Sequence, residues 1–276
     1  MSRILSIAFA VTFAAGAAVA QSGDVRRSLT QVTDDVWRFD NNFHASIVVV
    51  TEDGAVVGEP INAEAAAWLE SEIAQRFGKE VSFVLASHSH ADHAAGGEVF
   101  ADTATIIAHE NYQKAVGKEF GPTEPADMMF ADRHTLEHGG KTFELTYIGA
   151  GHGDDMVVSI VRPDNVAFVV DVVSPGRLPW RTSTAAINGM IEQIKVVESL
   201  DFDILLPGHA KTGSKSDATD ARVYLEALRA KVQAEIDTGK SDEEIIASLK
   251  MPEYAGWANY EEWLPLNVEG ALKALR

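Results

Sequence analysis

Ser87-His88-Ser89-His90-Ala91-Asp92-His93 decides how the rest of the chain is read. It follows Val81 to Ala86, a continuous apolar run of the kind that forms a buried strand. Three histidines and one acid fall within six residues of a chain that holds nine histidines in all. Side chains alternate with period two on extended backbone, so His88 and His90 point the same way and can grip one metal ion. Asp92 and His93 lie past the turn and can face a second ion beside the first. The competing reading is a polar loop with incidental histidines, but histidines at this density rarely lack a metal role.

Further ligands stand at other strand ends. His152 sits in Gly149-Ala150-Gly151-His152-Gly153, after a strand over Thr142 to Ile148. Asp171 ends the strand Val166 to Val170, and His209 sits in Leu206-Pro207-Gly208-His209 after a short strand from Ile204. In open α/β sheets, ligands gather at such carboxyl ends.

Around these points the chain reads as two similar halves without an obvious linker. The first half carries β-rich runs at Val36–Asp40, Ala45–Val50 and Ala55–Gly58, with a turn signal at Glu52-Asp53-Gly54. Asn62 caps a helix through Ala65 to Phe77 that Gly78 ends, with Ala67, Leu69, Ile73 and Ala74 as its apolar face. A helix from Asp92 to about Phe100, a strand Thr105–Ala108 and a helix Asn111–Val116 follow. In the second half, Met156–Val161 and Val166–Val170 are joined by the turn Pro163-Asp164-Asn165. Helices are predicted over Ala185–Leu200 and Asp217–Ile236, and over Glu243–Leu249 behind a Ser241/Glu244 capping box. Strands and helices alternate with hairpins mixed in, which implies a layered α/β fold with mixed sheets.

Composition narrows the function. The chain has 276 residues, a net charge of -18 and no cysteine. The acid excess argues against a nucleic-acid partner, because phosphate binding wants a basic face. The missing cysteines remove disulfides, thiolate zinc fingers, iron–sulfur clusters and any Cys nucleophile. A metal here must therefore be held by His, Asp and Glu. Residues 1–20 read as a cleaved secretory signal: Arg3, then an apolar run from Ile4 to Ala15, then Ala18-Val19-Ala20 as a small-x-small site before Gln21. The run is short for a bilayer span of about 20 residues, and no later stretch is apolar enough for one. Residues 21–276 are expected to form a single domain, periplasmic or secreted, and oligomeric state is not legible.

The motifs resemble, in order, all five metal-binding motifs of the metallo-β-lactamase superfamily, nearest its glyoxalase-II-like hydrolases. The resemblance implies a four-layer αββα sandwich with two mixed β-sheets. It also implies that His88, His90 and His152 bind a first ion, that Asp92, His93 and His209 bind a second, and that Asp171 bridges the two. The expected enzyme is an exported binuclear hydrolase in which a metal-bridging hydroxide cleaves an ester, lactone, thioester or amide of a small-molecule substrate. Zinc is the first choice for such an N/O site, with iron or manganese also fitting. Asp92 suits two roles there, ligand and orienter of the hydroxide.

This chain departs from the family pattern in three places. Gly153 stands where a threonine is often found, and Asp154 and Asp155 follow, either to orient His152 or simply to open the next strand. Major zinc β-lactamase subclasses use a cysteine ligand that is absent here, and the remaining subclass usually lacks the acid that Asp171 supplies. β-Lactamase activity therefore stands as an alternative, and an iron-dependent oxidoreductase of the same fold as another.

Other residues are open to two readings. His44 overhangs the site or is a satisfied loop histidine. His109 caps or packs, and His134 and His138 belong to a polar turn. Arg177, Trp180 and Arg181 form a substrate wall, with an Arg able to bind a carboxylate, or they pack the loop containing Pro175-Gly176. Trp257, Tyr260, Trp263 and Leu264 cover the cleft or join the core.

Overall fold

Each sheet begins as antiparallel hairpins and turns parallel where a helix crosses over. The computed structural model describes residues 25–182 and 186–276. The expected signal segment and Ala185 lie outside the described residues. In the first sheet, β1 (Arg27–Gln31), β2 (Val36–Asn41), β3 (His44–Thr51) and β4 (Gly54–Val57) are antiparallel neighbours. β5 (Val81–Leu85), β6 (Thr105–His109) and β7 (Met128–Phe130) extend it in parallel. In the second sheet, β8 (Arg133–His138), β9 (Lys141–Tyr147), β10 (Val157–Arg162) and β11 (Val166–Val169) form an antiparallel meander. β12 (Ile204–Pro207) runs parallel to β11, and β13 (Gly213–Ser214) closes the edge antiparallel to it.

Strand alternation builds the layers. On β3, Ile47 and Val49 face the space between the sheets, while Val48 faces α1 (Ala63–Phe77). On β10, Val157 and Val161 face the other sheet. Val158 and Ile160 instead face α3 (Ala186–Ser199), α4 (Lys215–Asp237) and α6 (Tyr260–Leu275). Both faces of these strands are buried, which is why their sequences are near-continuous apolar runs. The result is the αββα sandwich with two mixed sheets.

Local signals explain several boundaries. Asn62 accepts a hydrogen bond from the Ala65 N–H, and Gly78 ends α1 in the left-handed region. Thr51 pairs with Gly54 across the Glu52-Asp53 turn. Ser241 and Glu244 make the reciprocal capping box of α5 (Asp242–Ser248).

Other expectations need correction. The buried face of α1 is Ala65, Ala66, Leu69 and Ile73. Ala67 and Ala74 are exposed, one step off that stripe. The helix expected from Asp92 to Phe100 is broken into α2 (Ala91–Ala94) and a 3-10 turn over Gly97–Val99. Gly96 between them has φ +91°, and a side chain there would press into the Asn62–Ala63 peptide. Asn111 to Val116 becomes a 3-10 turn over Glu110–Lys114. His134 and His138 lie on β8, packed beside Phe130 and Phe83, so they are strand residues rather than a polar turn. Of the aromatic tail, Trp257 precedes α6, Tyr260 and Leu264 in its first turns are buried in the core, and Trp263 lines the cavity beside Asp171. Among the described residues no helix is long and apolar enough to cross a membrane.

Candidate metal centre

The candidate ligating side chains come from strand ends, where backbone can leave the sheet and aim polar groups at one point. His88, His90, Asp92 and His93 follow β5, and His152 lies between β9 and β10. His209 follows β12, and Asp171 stands two residues past β11. Asp171 has φ +61°, a left-handed conformation that Asp tolerates better than most residues. This turn puts its carboxylate among four imidazoles. Oδ2 lies 3.0 Å from His152 Nε2, 3.3 Å from His93 Nε2 and 3.5 Å from His88 Nε2, and Oδ1 lies 3.3 Å from His209 Nε2.

The donor atoms fall into three overlapping groups whose members lie within 4.8 Å of one another: His88, His90, His152 and Asp171; His93, Asp171 and His209; and His44, Asp92 and His209. His88 Nε2, His93 Nε2 and Asp171 Oδ1 are buried without a hydrogen-bond partner. Buried polar atoms are rarely left so, and convergent imidazole nitrogens and carboxylate oxygens are the donor set that divalent zinc, iron or manganese takes. The residues present fit such an ion.

Three imidazoles are held by their other ring nitrogen, which leaves Nε2 facing the centre. His93 Nδ1 is 2.6 Å from Glu59 Oε2. His88 Nδ1 is 2.8 Å from Ser87 Oγ, whose hydroxyl in turn donates to Glu59 Oε1. His209 Nδ1 is 2.7 Å from the Phe43 carbonyl. Glu59 itself is fully buried just past β4. The His152 N–H donates to Gln193 Oε1 at 2.9 Å, and Gln193 Nε2 donates to the Gly149 carbonyl at 2.6 Å. Gln193, not Asp154 or Asp155, thus holds the His152 loop. His109 caps, accepting from the Asn111 N–H at 3.2 Å.

Charge and burial set the protonation of the cluster. Burial, aided by His88 and His152, pulls His90 down to about 4. A hydrogen bond from His44 holds Asp92 well below the usual carboxylate range. Burial would raise Asp171, but His93 and His152 hold it far below that range. Burial works to lower His93, yet the carboxylates of Glu59 and Asp171 override it and push the imidazole well up. Asp92 and Asp171 therefore stay ionised in mild acid, so protons compete with a cation for the imidazoles.

Most of the residues singled out in the sequence meet here, with some regrouping. Asp92 and His93 fall into different donor trios, although Asp92 Oδ2 and His93 Nε2 are 3.6 Å apart. His44 overhangs the cluster, its Nε2 3.4 Å from Asp92 Oδ2 and its ring 4.7 Å from that of His209. Arg177, Trp180 and Arg181 line the same 370 Å³ cavity as His90, Asp92 and Asp171. Glu59 and Gln193 went unnoticed in the sequence. Glu59 carried a usable signal, an acid directly after a short apolar strand, while Gln193 carried none inside its helix.

A close approach supports the His152 loop from behind. A methyl group on Gly189 of α3 would lie 2.6 Å from Gly151 Cα and 2.7 Å from the Ala150 carbonyl. Gly189→Ala is expected to displace the loop and weaken metal binding by about 10- to 100-fold, the usual cost of disturbing a ligand's support. Competition against a chromophoric chelator measures this. Unchanged affinity would show that the loop yields freely.

A sandwich with a His/Asp cluster at its strand ends defines a class of metal-site proteins. Residues 40–209 match the metallo-beta-lactamase superfamily, and the chain belongs to it. Members of this superfamily are mostly hydrolases, and the fold typically binds divalent metals. The chain is 30% identical over 154 residues to the 2,4-dinitroanisole O-demethylase subunit beta of Nocardioides sp., covering 54% of this chain and 48% of that protein. It is 31% identical over 133 residues to the metallo-beta-lactamase type 2 of Elizabethkingia meningoseptica, covering 48% and 53%. The chain thus spans about half the length of these two relatives. Among solved structures it resembles a metallo-beta-lactamase from Pontibacter korlensis, with a TM-score of 0.65 at 20% identity, covering 73% of this chain and 99% of that one. A double mutant of the sec-alkyl sulfatase PisA1 superposes with a TM-score of 0.70 at 15% identity, covering 90% and 49%. At these identities both structures speak for the fold alone.

Proposed function

We propose that this chain is an exported, binuclear, metal-dependent hydrolase of small molecules that cleaves an ester, lactone, thioester or amide. The observation that carries the reading is the set of buried, unpartnered His88 Nε2, His93 Nε2 and Asp171 Oδ1 converging beside an open cavity. His88, His90 and His152 would hold one ion and His93 and His209 another, with Asp171 between them. Asp92 and His44 stand at the exposed side of the second set. Divalent ions bound there supply an activated water and a Lewis acid at neutral pH. Asp92, held ionised by His44 and half-exposed, would accept a hydrogen bond from that water and orient it. Zinc suits the donor set, with iron or manganese as alternatives.

The test is a hydrolysis screen of the metal-loaded chain. Lactones, thioesters, aryl esters, phosphoesters and β-lactams are set side by side, and metal is counted per chain. Chelation is expected to lower turnover by roughly a thousandfold, and added zinc to restore it. One iron per chain with no hydrolysis would favour the oxidoreductase alternative instead. Preferential β-lactam turnover would favour the activity named in the Elizabethkingia relative.

A further inference from the structure

The cavity wall facing the cluster carries two cations in a protein of net charge -18. Arg177 Cζ lies 4.5 Å over the Trp263 ring, and Trp180 meets Trp263 edge-on with centroids 5.1 Å apart. Arg181 Cζ lies 5.2 Å over Trp180, which is 56% exposed. The wall is built by the C-terminal segment. The Ala258 N–H donates to the Gly176 carbonyl at 2.8 Å, and the Leu178 N–H donates to the Ala258 carbonyl at 3.2 Å. On α6, Asn267 Nδ2 donates to the Pro179 carbonyl at 3.0 Å, and the Asn267 carbonyl accepts from Thr182 Oγ1 at 2.9 Å. Gly270 lets the Thr182 backbone lie directly against the helix. All of α6 lies past residue 209, where the superfamily match ends.

Arg177 is half-buried, and among the described residues it forms no ion pair and no side-chain hydrogen bond. Contact with Trp263 uses its charge but none of its five N–H donors, which match an oxyanion bidentately. A guanidinium serving loop packing alone would be expected to meet a carbonyl or carboxylate, as Arg38 and Arg162 do. Divalent ions held by the cluster would offset Asp92 and Asp171, and the free donors of Arg177 on the opposite wall then suit an anionic ligand.

We infer that Arg177, laid over Trp263, is the substrate-recognition residue, and that the substrate carries an oxyanionic group. This rests on the hydrolase reading for the bond broken, but not for the ligand bound. The test titrates 2-naphthoate, 2-naphthalenesulfonate and 2-naphthamide into the metal-loaded full chain by calorimetry. Both anions are expected to bind about 10- to 100-fold more tightly than the amide, the range of a charge-assisted pair. Arg177→Met keeps the stem over Trp263 and is expected to bring both anions to the level of the amide, with metal content unchanged. Arg177→Lys, which keeps the charge without the fork, is expected to fall between and covers a misfolded Met variant. No binding of either anion, equal binding of all three, or an anion advantage that survives Arg177→Met would overturn the inference. A naphthoate advantage not shared by the sulfonate and insensitive to Arg177 would place the anion on the metal and overturn it as well. An Arg177-dependent anion preference without hydrolysis of any substrate would leave this inference standing and remove the hydrolase reading.

Discussion

Asp171→Asn is expected to lower kcat/KM by roughly a thousandfold, because one carboxylate serves two of the donor groups. Its oxygens stand 3.0–3.5 Å from four histidine Nε2 atoms, so no other side chain can take its place. Asparagine keeps the shape and tolerates the left-handed backbone at φ +61°, so the fold should survive. What is lost is the negative charge and one anionic oxygen between the two sets of imidazoles. Metal per chain, circular dichroism and steady-state kinetics together check this. The expected result is a folded protein with less than its full metal complement and little turnover. Asp92→Ala should be comparably inactive with less effect on folding, since the Asp92 side chain is half-exposed. Full turnover in both variants would end the metal-hydrolase reading.

The His/Asp cluster was legible because a metal-type donor set constrains residue type more tightly than packing does. His88, His90, Asp92 and His93 stand close in sequence, and His152, Asp171 and His209 each follow an apolar strand. The four layers were legible for a related reason, since strands buried on both faces must be apolar throughout. What escaped was set by tertiary neighbours. The edges β1 and β8 are half-exposed and carry mixed sequence, β7 is only three residues long, and pairing rather than propensity makes them strands. The break at Gly96 depends on how near the Asn62 backbone passes, a distance that local sequence does not encode. His44 was ambiguous because its role depends on β2–β3 hairpin geometry that brings it over His209. Gln193 lies inside a helix and acts on a loop 40 residues earlier, beyond any motif.

Glu59 is where sequence reading fell furthest short, and its removal is expected to have the second largest effect. It is buried, with one oxygen 2.6 Å from His93 Nδ1 and the other accepting from Ser87, which in turn reaches His88. Glu59→Ala would leave a buried imidazole without its counter-charge and release two ligands from their orientations. Breaking a buried pair in this way costs about 3–5 kcal/mol of stability, and lost ligand support costs about 10- to 100-fold in metal affinity. Glu59→Gln keeps the volume and separates the two effects. The metal-free protein supplies the readout, because there His93 carries a proton at a pKa raised well above its ordinary value. A group raised on folding contributes stability that is fully present below its unfolded pKa of 6.5 and disappears as pH climbs through the folded value. Glu59 is a main source of that elevation, so the stability gap between the parent and Glu59→Gln should be widest below pH 6.5 and narrow in alkali. Urea unfolding of both metal-free proteins from mild acid to alkaline pH measures it. A gap that stays constant across that span would mean that Glu59 acts only by shape. A gap that widens with pH would mean that His93 folds neutral, and that Glu59 holds it through a simple hydrogen bond rather than a charge.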